Sequence, residues 1–173
     1  MIPLFHSVIG FFVNKIDGTL QCNGSNKQVI EALVKNSVEF LLIGGLAVSW
    51  FCPRQADDMD ILVNPSLENS RKVFHSIVSL GYLEGFAETS FSRNGVLAHL
   101  KKYHYADILT PKETWPSYKK LASDAVEASI FNIPIKLPSV LNLIELKNLA
   151  IKEAEESIEK HQNDIRLLKA CNL

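Results

Sequence analysis

The apolar residues of the chain follow two patterns, and each pattern predicts one type of element. Residues 38–43 and 59–63 form short, nearly continuous apolar runs, which are typical of buried strands. Residues 27–35 and 66–80 instead place apolar side chains three and four positions apart, as one face of a helix does. The first part of the chain therefore predicts helices and strands in alternation.

The second part of the chain contains more turn signals. Asn94-Gly95 is a dipeptide typical of tight hairpins, so residues 82–102 predict strands joined by a turn there. The later patterns predict, in order, a strand over 103–109, a loop or short helix over 112–122, one or two strands over 125–137, and helices over 140–154 and 155–168. This order indicates an α+β fold, in which a mixed β-sheet is flanked by helices and followed by a C-terminal helical pair within residues 138–170.

The length of 173 residues fits one domain with its own core, which we assign to residues 1–173. Residues 1–25 form an N-terminal extension whose role the pattern does not define. Its first dozen residues are mostly apolar, but they lack a basic start and a small-residue cleavage site, and they are too few to span a bilayer. A packed strand or helix is expected there, and no membrane partner.

Charge and cysteine content narrow the class of protein. The 18 Lys and Arg residues nearly balance the 19 Asp and Glu residues, which argues against a strongly basic nucleic-acid-binding module. The three cysteines, Cys22, Cys52 and Cys171, are far apart and odd in number, and they have no zinc-site spacing. A reducing cytoplasm is the simplest setting for such a protein.

Three acidic residues stand next to the second apolar run. Alternation along a strand puts Asp58 and Asp60 on one face and Asp57 on the other, so Asp57 is left out of the pair. Two neighbouring carboxylates suit a hard cation such as Mg²⁺, and the best third acid is Asp107 in another predicted strand. Such a set holds up to two ions for phosphoryl-type chemistry, with Asp107 also able to act as a general base. The alternative is that these are solvent-exposed acids at the ends of strands.

A glycine pair lies between the first strand and a short predicted helix over residues 46–51. Gly44-Gly45 predicts a turn, and glycines at such a position let backbone N–H groups approach a phosphate closely. The pair alone is weak evidence, because two glycines are also common in tight turns. Its combination with Arg54 and the acid pair is far more specific.

The segment over residues 44–63, G-G-L-A-V-S-W-F-C-P-R-Q-A-D-D-M-D-I-L-V, resembles the signature of the nucleotidyltransferase superfamily, the polymerase-beta-like fold. It is most similar to the minimal, antibiotic-type and toxin-type members, whose pattern is roughly G-G-x-A, a short helix, and R-x-T-x-D-x-D. The matching positions are Gly44, Gly45, Ala47, Arg54, Asp58 and Asp60. Asp107 matches the third acid of the family, and residues 137–147 and 160–168 resemble its last two helices. The resemblance covers roughly residues 28–170.

This resemblance implies a Mg²⁺-dependent enzyme that transfers a nucleoside monophosphate from a nucleoside triphosphate, ATP or another, to a hydroxyl. It implies that Asp58, Asp60 and Asp107 are catalytic and hold the metal. The residues implied to bind the nucleotide are Gly44, Gly45, Arg54 and Lys147. The acceptor is left open between a small molecule, a protein and an RNA.

Three side chains keep two interpretations each. Lys147 shares a helix face with apolar residues, so it either extends to solvent or points into a site. Asp164 pairs either with Lys147 or near Arg166, with a structural role favoured. Trp115 either packs or stacks on a base, with packing favoured.

Two residues depart from the family pattern. Cys52 stands where glycine is frequent, and Ala56 stands where threonine is frequent. The lost threonine hydroxyl bears on nucleotide positioning. The alternative function is a non-catalytic nucleotidyltransferase-like partner protein, such as one half of a toxin–antitoxin pair. As for assembly, the sequence leaves open a homodimer or a complex with a partner protein.

Overall fold

The computed structural model describes residues 23–82, 84–153 and 157–171 of the chain. Its elements, in chain order, are α1 (Asn23–Lys35), β1 (Phe40–Ile43), α2 (Gly44–Phe51), β2 (Met59–Val63), α3 (Leu67–Ser79), a 3₁₀ helix (Ser90–Ser92), β3 (Leu97–His99), α4 (Lys101–His104), β4 (Ala106–Leu109), α5 (Tyr118–Ser123), β5 (Val126–Ile130), β6 (Ile133–Leu137), α6 (Val140–Glu153) and α7 (Ile158–Cys171). None of the helices in these ranges is long and apolar enough to cross a membrane. The expectation of a packed segment at the N-terminus falls on residues outside the described part.

Four strands form a mixed sheet in the order β1-β2-β4-β3. β1 pairs antiparallel with β2, β2 pairs parallel with β4, and β3 pairs antiparallel with β4. β5 and β6 form a separate antiparallel hairpin. The predicted α+β class, with a mixed sheet, flanking helices and a C-terminal helical pair, is therefore confirmed.

The two faces of the sheet pack on different sets of helices. In β2, Met59, Ile61 and Val63 belong to the larger core cluster, which also includes residues of α1 and α3. Leu62 belongs to a second cluster, with Leu41 of β1, Leu121 of α5 and Leu146 of α6. Because side chains alternate along a strand, this second face is the one that Asp60 shares with Leu62.

The start of α3 is held as its sequence predicts. The Ser66 hydroxyl accepts a hydrogen bond from the Asn69 backbone N–H at 3.2 Å, which satisfies one of the free donors at the helix start. The buried Asn69 side chain also donates to the carbonyls of Glu39 and Asn64, at 3.0 and 2.9 Å. These bonds fix α3 to the loops that flank the paired strands β1 and β2.

The predicted hairpin at Asn94-Gly95 is wrong. Over residues 84–96 the structure contains the 3₁₀ helix and no strand, and the short β3 pairs with β4 instead. The reason is a set of bonds to the end of β4: Gly95 N–H donates to Pro111 O at 2.9 Å, and Val96 N–H donates to Thr110 Oγ1 at 2.9 Å. The glycine turn therefore directs the chain along β4 rather than back on itself.

The strand predicted over residues 103–109 is shorter than expected. β4 begins at Ala106, and the preceding residues form the single helical turn of α4. Tyr105, with φ of 49°, lies between the two elements in the left-handed region. This turn is what brings Lys101 back toward the start of β4.

Candidate active site

The parallel pairing of β2 with β4 brings the predicted acids together. Asp60 and Asp107 are direct partners in the ladder, and Asp58 lies just before β2. One carboxylate oxygen from each of the three lies within 4.8 Å of the others. The structure thus joins the acids that the sequence singled out. We refer to Asp58, Asp60 and Asp107 as the acid triad.

Burial and like charge act together on Asp60. Desolvation raises the pKa of Asp60 from 3.8 to about 6, and the neighbouring carboxylates of Asp58 and Asp107 add to this effect. Such a cluster of oxygen donors suits a hard divalent cation such as Mg²⁺. The Lys101 ammonium already lies against two of the three carboxylates, so the site accepts a cation.

Two side chains of the site lie so close to the backbone of Gly44 and Gly45 that glycine is required at both positions. Gly44 and Gly45 are the first residues of α2 rather than the predicted separate turn, and Gly44 has φ of 68°. A Cβ at Gly44 would overlap the Asp60 carboxylate, and one at Gly45 would overlap the Arg54 guanidinium. Only glycine therefore allows both side chains to lie against the start of this helix.

Arg54 and Lys147 meet at one buried carboxylate. Asp164 of α7 accepts from Arg54 Nε at 2.6 Å through Oδ1, and its Oδ2 lies 2.6 Å from Lys147 Nζ. The Asp164 side chain is only 1% exposed and that of Lys147 7%, and burial lowers the pKa of Lys147. Of the two interpretations of Asp164, the pairing with Lys147 is the observed one. Lys147 points inward rather than to solvent.

Two residues of the site were missed by the sequence reasoning. The Lys101 ammonium lies 2.7 Å from Asp58 Oδ2 and 3.1 Å from Asp107 Oδ2. Its hydrogen bond with Asp58 is the main cause of a raised Lys101 pKa. His99 Nδ1 lies 3.0 Å from Asp107 Oδ1, because His99 is the ladder partner of Asp107 in β3. Knowledge of the pairing of β3 with β4 would have placed both His99 and Lys101 near Asp107.

Two neighbouring cavities lie beside the triad, a polar one of about 150 Å³ and an apolar one of about 180 Å³. We refer to them together as the cleft, with a polar part and an apolar part. The residues of the polar part include Gly45, Arg54, Asp58, Lys160 and Ser157. The residues of the apolar part include Gly44, Leu109, Trp115, Leu143, Leu146 and Ala150. Asp60, Lys147 and His161 line both parts. His161 Nδ1 is buried and has no hydrogen-bond partner among the described residues.

The remaining residues singled out by the sequence fall in different places. Asp57 lies 3.7 Å from Lys160 Nζ and is outside the triad, as alternation predicts. Ala56 is 1% exposed and Cys52 is 3% exposed, and both belong to the larger core cluster. The methyl group of Ala56 thus packs in the core.

Comparison with known proteins adds evidence on the fold. No protein-family model and no curated protein sequence matches the chain. Among solved structures, the crystal structure of ANT(2'')-Ia in complex with adenylyl-2''-tobramycin matches with a TM-score of 0.55 and 17% identity, over 82% of this chain and 84% of that one. The solution structure of the antibiotic-resistance factor ANT(2'')-Ia matches with a TM-score of 0.57 and 17% identity, over 82% and 79%.

These likenesses define the class of fold. The chain has a nucleotidyltransferase-like fold. At 17% identity the likeness concerns the fold alone.

Proposed function

We propose that the protein is a Mg²⁺-dependent nucleotidyltransferase that transfers a nucleoside monophosphate from a nucleoside triphosphate to a hydroxyl. The observation that carries this proposal is the convergence of the acid triad beside a cleft lined by Arg54 and Lys147. A cluster of carboxylates next to basic side chains suits a metal-bound polyphosphate. Three carboxylates alone would repel it.

The start of α2 and the two buried cations form the proposed triphosphate site. The first backbone N–H groups of a helix have no partners within it, and the glycines leave room for a phosphate beside them. Arg54 and Lys147 share the single counter-charge of Asp164, so the three groups together carry a net positive charge.

The apolar part of the cleft is the proposed site of the nucleoside. It adjoins the polar part, with which it shares the lining residues Asp60, Lys147 and His161. A cleft that is charged at one end and apolar at the other matches the charged phosphates and the flat base of a nucleotide. Trp115 lines the apolar end, where an aromatic ring stacks well on a base.

The acid triad would carry the chemical step. Mg²⁺ held by these carboxylates would neutralise charge on the attacking and leaving oxygens. Asp107 accepts the proton of the acceptor hydroxyl, whose oxygen forms the new bond to the α-phosphorus. The bond from that phosphorus to the bridging oxygen breaks, and pyrophosphate leaves. Arg54 and Lys147 hold the leaving phosphates in place.

Mg²⁺-dependent binding of nucleoside triphosphates tests the proposal. Thermal unfolding of the protein with each of the four triphosphates, with and without Mg²⁺, should show a Mg²⁺-dependent shift: the midpoint rises further with triphosphate and Mg²⁺ together than with Mg²⁺ alone, and it does not rise with triphosphate alone. The double variant Asp58→Asn, Asp60→Asn should lose the shift while remaining folded. Asp57→Asn is the matched control, since this neighbouring acid lies outside the triad, and it should keep the shift.

Absence of a Mg²⁺-dependent shift with every triphosphate would reject the enzyme and favour the non-catalytic partner protein. If binding is seen, incubation with triphosphates labelled at the α-phosphate and with cell extract identifies the acceptor. The labelled product is then a small molecule, a protein or an RNA, and each outcome assigns one acceptor class.

A further inference from the structure

We propose that Lys101 serves as a built-in cation of the acid triad and takes the place of one metal ion, so that the site binds a single divalent ion. This inference rests on the proposed function. Three carboxylates, with one oxygen of each within 4.8 Å of the others, have the composition of a site for two divalent ions. In this protein an ammonium group already lies among them.

The Lys101 ammonium lies between two acids of the triad. Its Nζ lies 2.7 Å from Asp58 Oδ2 and 3.1 Å from Asp107 Oδ2. A cation that bridges these two carboxylates would have to occupy the same space. Lys101 is the first residue of α4, and the return of the chain from β3 to β4 places it there.

Both oxygens of Asp107 are also engaged by nitrogen atoms. His99 Nδ1 lies 3.0 Å from Oδ1, and Lys101 Nζ lies 3.1 Å from Oδ2. Asp107 is also 6% exposed, which restricts approach from other directions. Asp58 and Asp60 are therefore the pair left to hold one divalent ion.

Counting bound Mn²⁺ ions tests this inference without a reaction. Free Mn²⁺ is measured by electron paramagnetic resonance as the metal is added to the protein, to Lys101→Ala and to Lys102→Ala. The wild-type protein should bind one ion, and Lys101→Ala should bind two. Lys102→Ala should bind one, because Lys102 lies over the Tyr103 ring, 4.9 Å from its centre. Lys101→Arg, which keeps the charge, should also bind one.

Two further variants identify the metal ligands. Asp107→Asn should still bind one ion with an affinity within about threefold of wild type, whereas Asp60→Asn should lose binding by at least about tenfold. Two ions in the wild-type protein, or one in Lys101→Ala, would overturn the inference and leave the proposed function standing. No binding of Mn²⁺ by any of these proteins would overturn the metal site and the proposed function together.

Discussion

At Asp60, the sheet places a carboxylate in a buried position between two others. Its pKa of about 6 lies above the value of 3.8 for an exposed Asp, so the folded protein holds this proton more tightly than the unfolded chain does. Protonated Asp60 makes its full contribution to the free energy of unfolding below about pH 4. This contribution is lost as the pH rises through about 6.

A pH series with Asp60→Asn measures this effect. In metal-free buffer, the variant should be more stable than wild type at pH 7.5, by on the order of 2 kcal/mol, and the difference should shrink toward pH 4. Urea unfolding at several pH values gives the two curves. Parallel curves would show that Asp60 has an ordinary pKa in the folded protein.

Gly44 is a second single residue on which the site depends. The Asp60 carboxylate occupies the space that a Cβ at Gly44 would need. Gly44→Ala should lower the free energy of unfolding and remove Mn²⁺ binding. Gly95→Ala is the control, with a similar φ of 72° but with space for a Cβ. The control should lose only about 1 kcal/mol, from backbone strain, and should keep the metal site. Equal losses in the two variants, with metal binding retained, would mean that Asp60 does not need the space at Gly44.

At the scale of elements, α6 and α7 are joined to the loop after α2 by one ion-pair network. Asp164 balances Arg54 and Lys147, and its own side chain is almost fully buried. Removal of one member of such a network leaves uncompensated charge in the interior. The packing of the helical pair thus depends on Asp164, which also holds Arg54 and Lys147 in place beside the cleft.

Asp164→Asn should lower the free energy of unfolding by about 3 kcal/mol. Glu145→Gln removes an exposed pair with Lys120 at 3.0 Å, and it should cost no more than about 0.5 kcal/mol. Urea unfolding of both variants provides the comparison. A loss at Asp164 as small as that at Glu145 would show that the buried network adds little to stability.

Elements with a clear apolar period were predictable, and those decided by distant contacts were not. β2 and the capped α3 have the expected positions, because their own residues define them. The hairpin at Asn94-Gly95 failed because that segment bonds to the end of β4, which no local pattern reveals. The acid triad could be predicted from alternation and from the family resemblance. Lys101 and His99 could not, because both depend on how β3 pairs with β4.

At the scale of the whole molecule, the cleft combines residues from distant parts of the chain. α2 supplies the glycines, β2, β4 and the residue just before β2 supply the acids, and the C-terminal helices supply Lys147 and Asp164. Trp115, which comes before α5, closes the apolar end. Its fluorescence can therefore report what fills the cleft.

The sequence has two tryptophans, so Trp50→Phe leaves Trp115 as a single reporter. In this background, a Mg²⁺-bound nucleoside triphosphate should change the emission of Trp115, because a base stacks near its ring. Inorganic tripolyphosphate with Mg²⁺ has no base and should leave the emission unchanged. Equal changes with the two ligands would argue against a base in the apolar part of the cleft.

The crossover from β2 to β4 has a practical consequence for protein engineering. Asp60 and Asp107 are held side by side by the ladder, whatever the length of chain between them. That chain includes an exposed stretch at Glu84-Gly85, where Gly85 has free space around it. A peptide tag or a reporter domain inserted there should leave the spacing of the two acids intact, which offers a way to label the protein without altering its cleft.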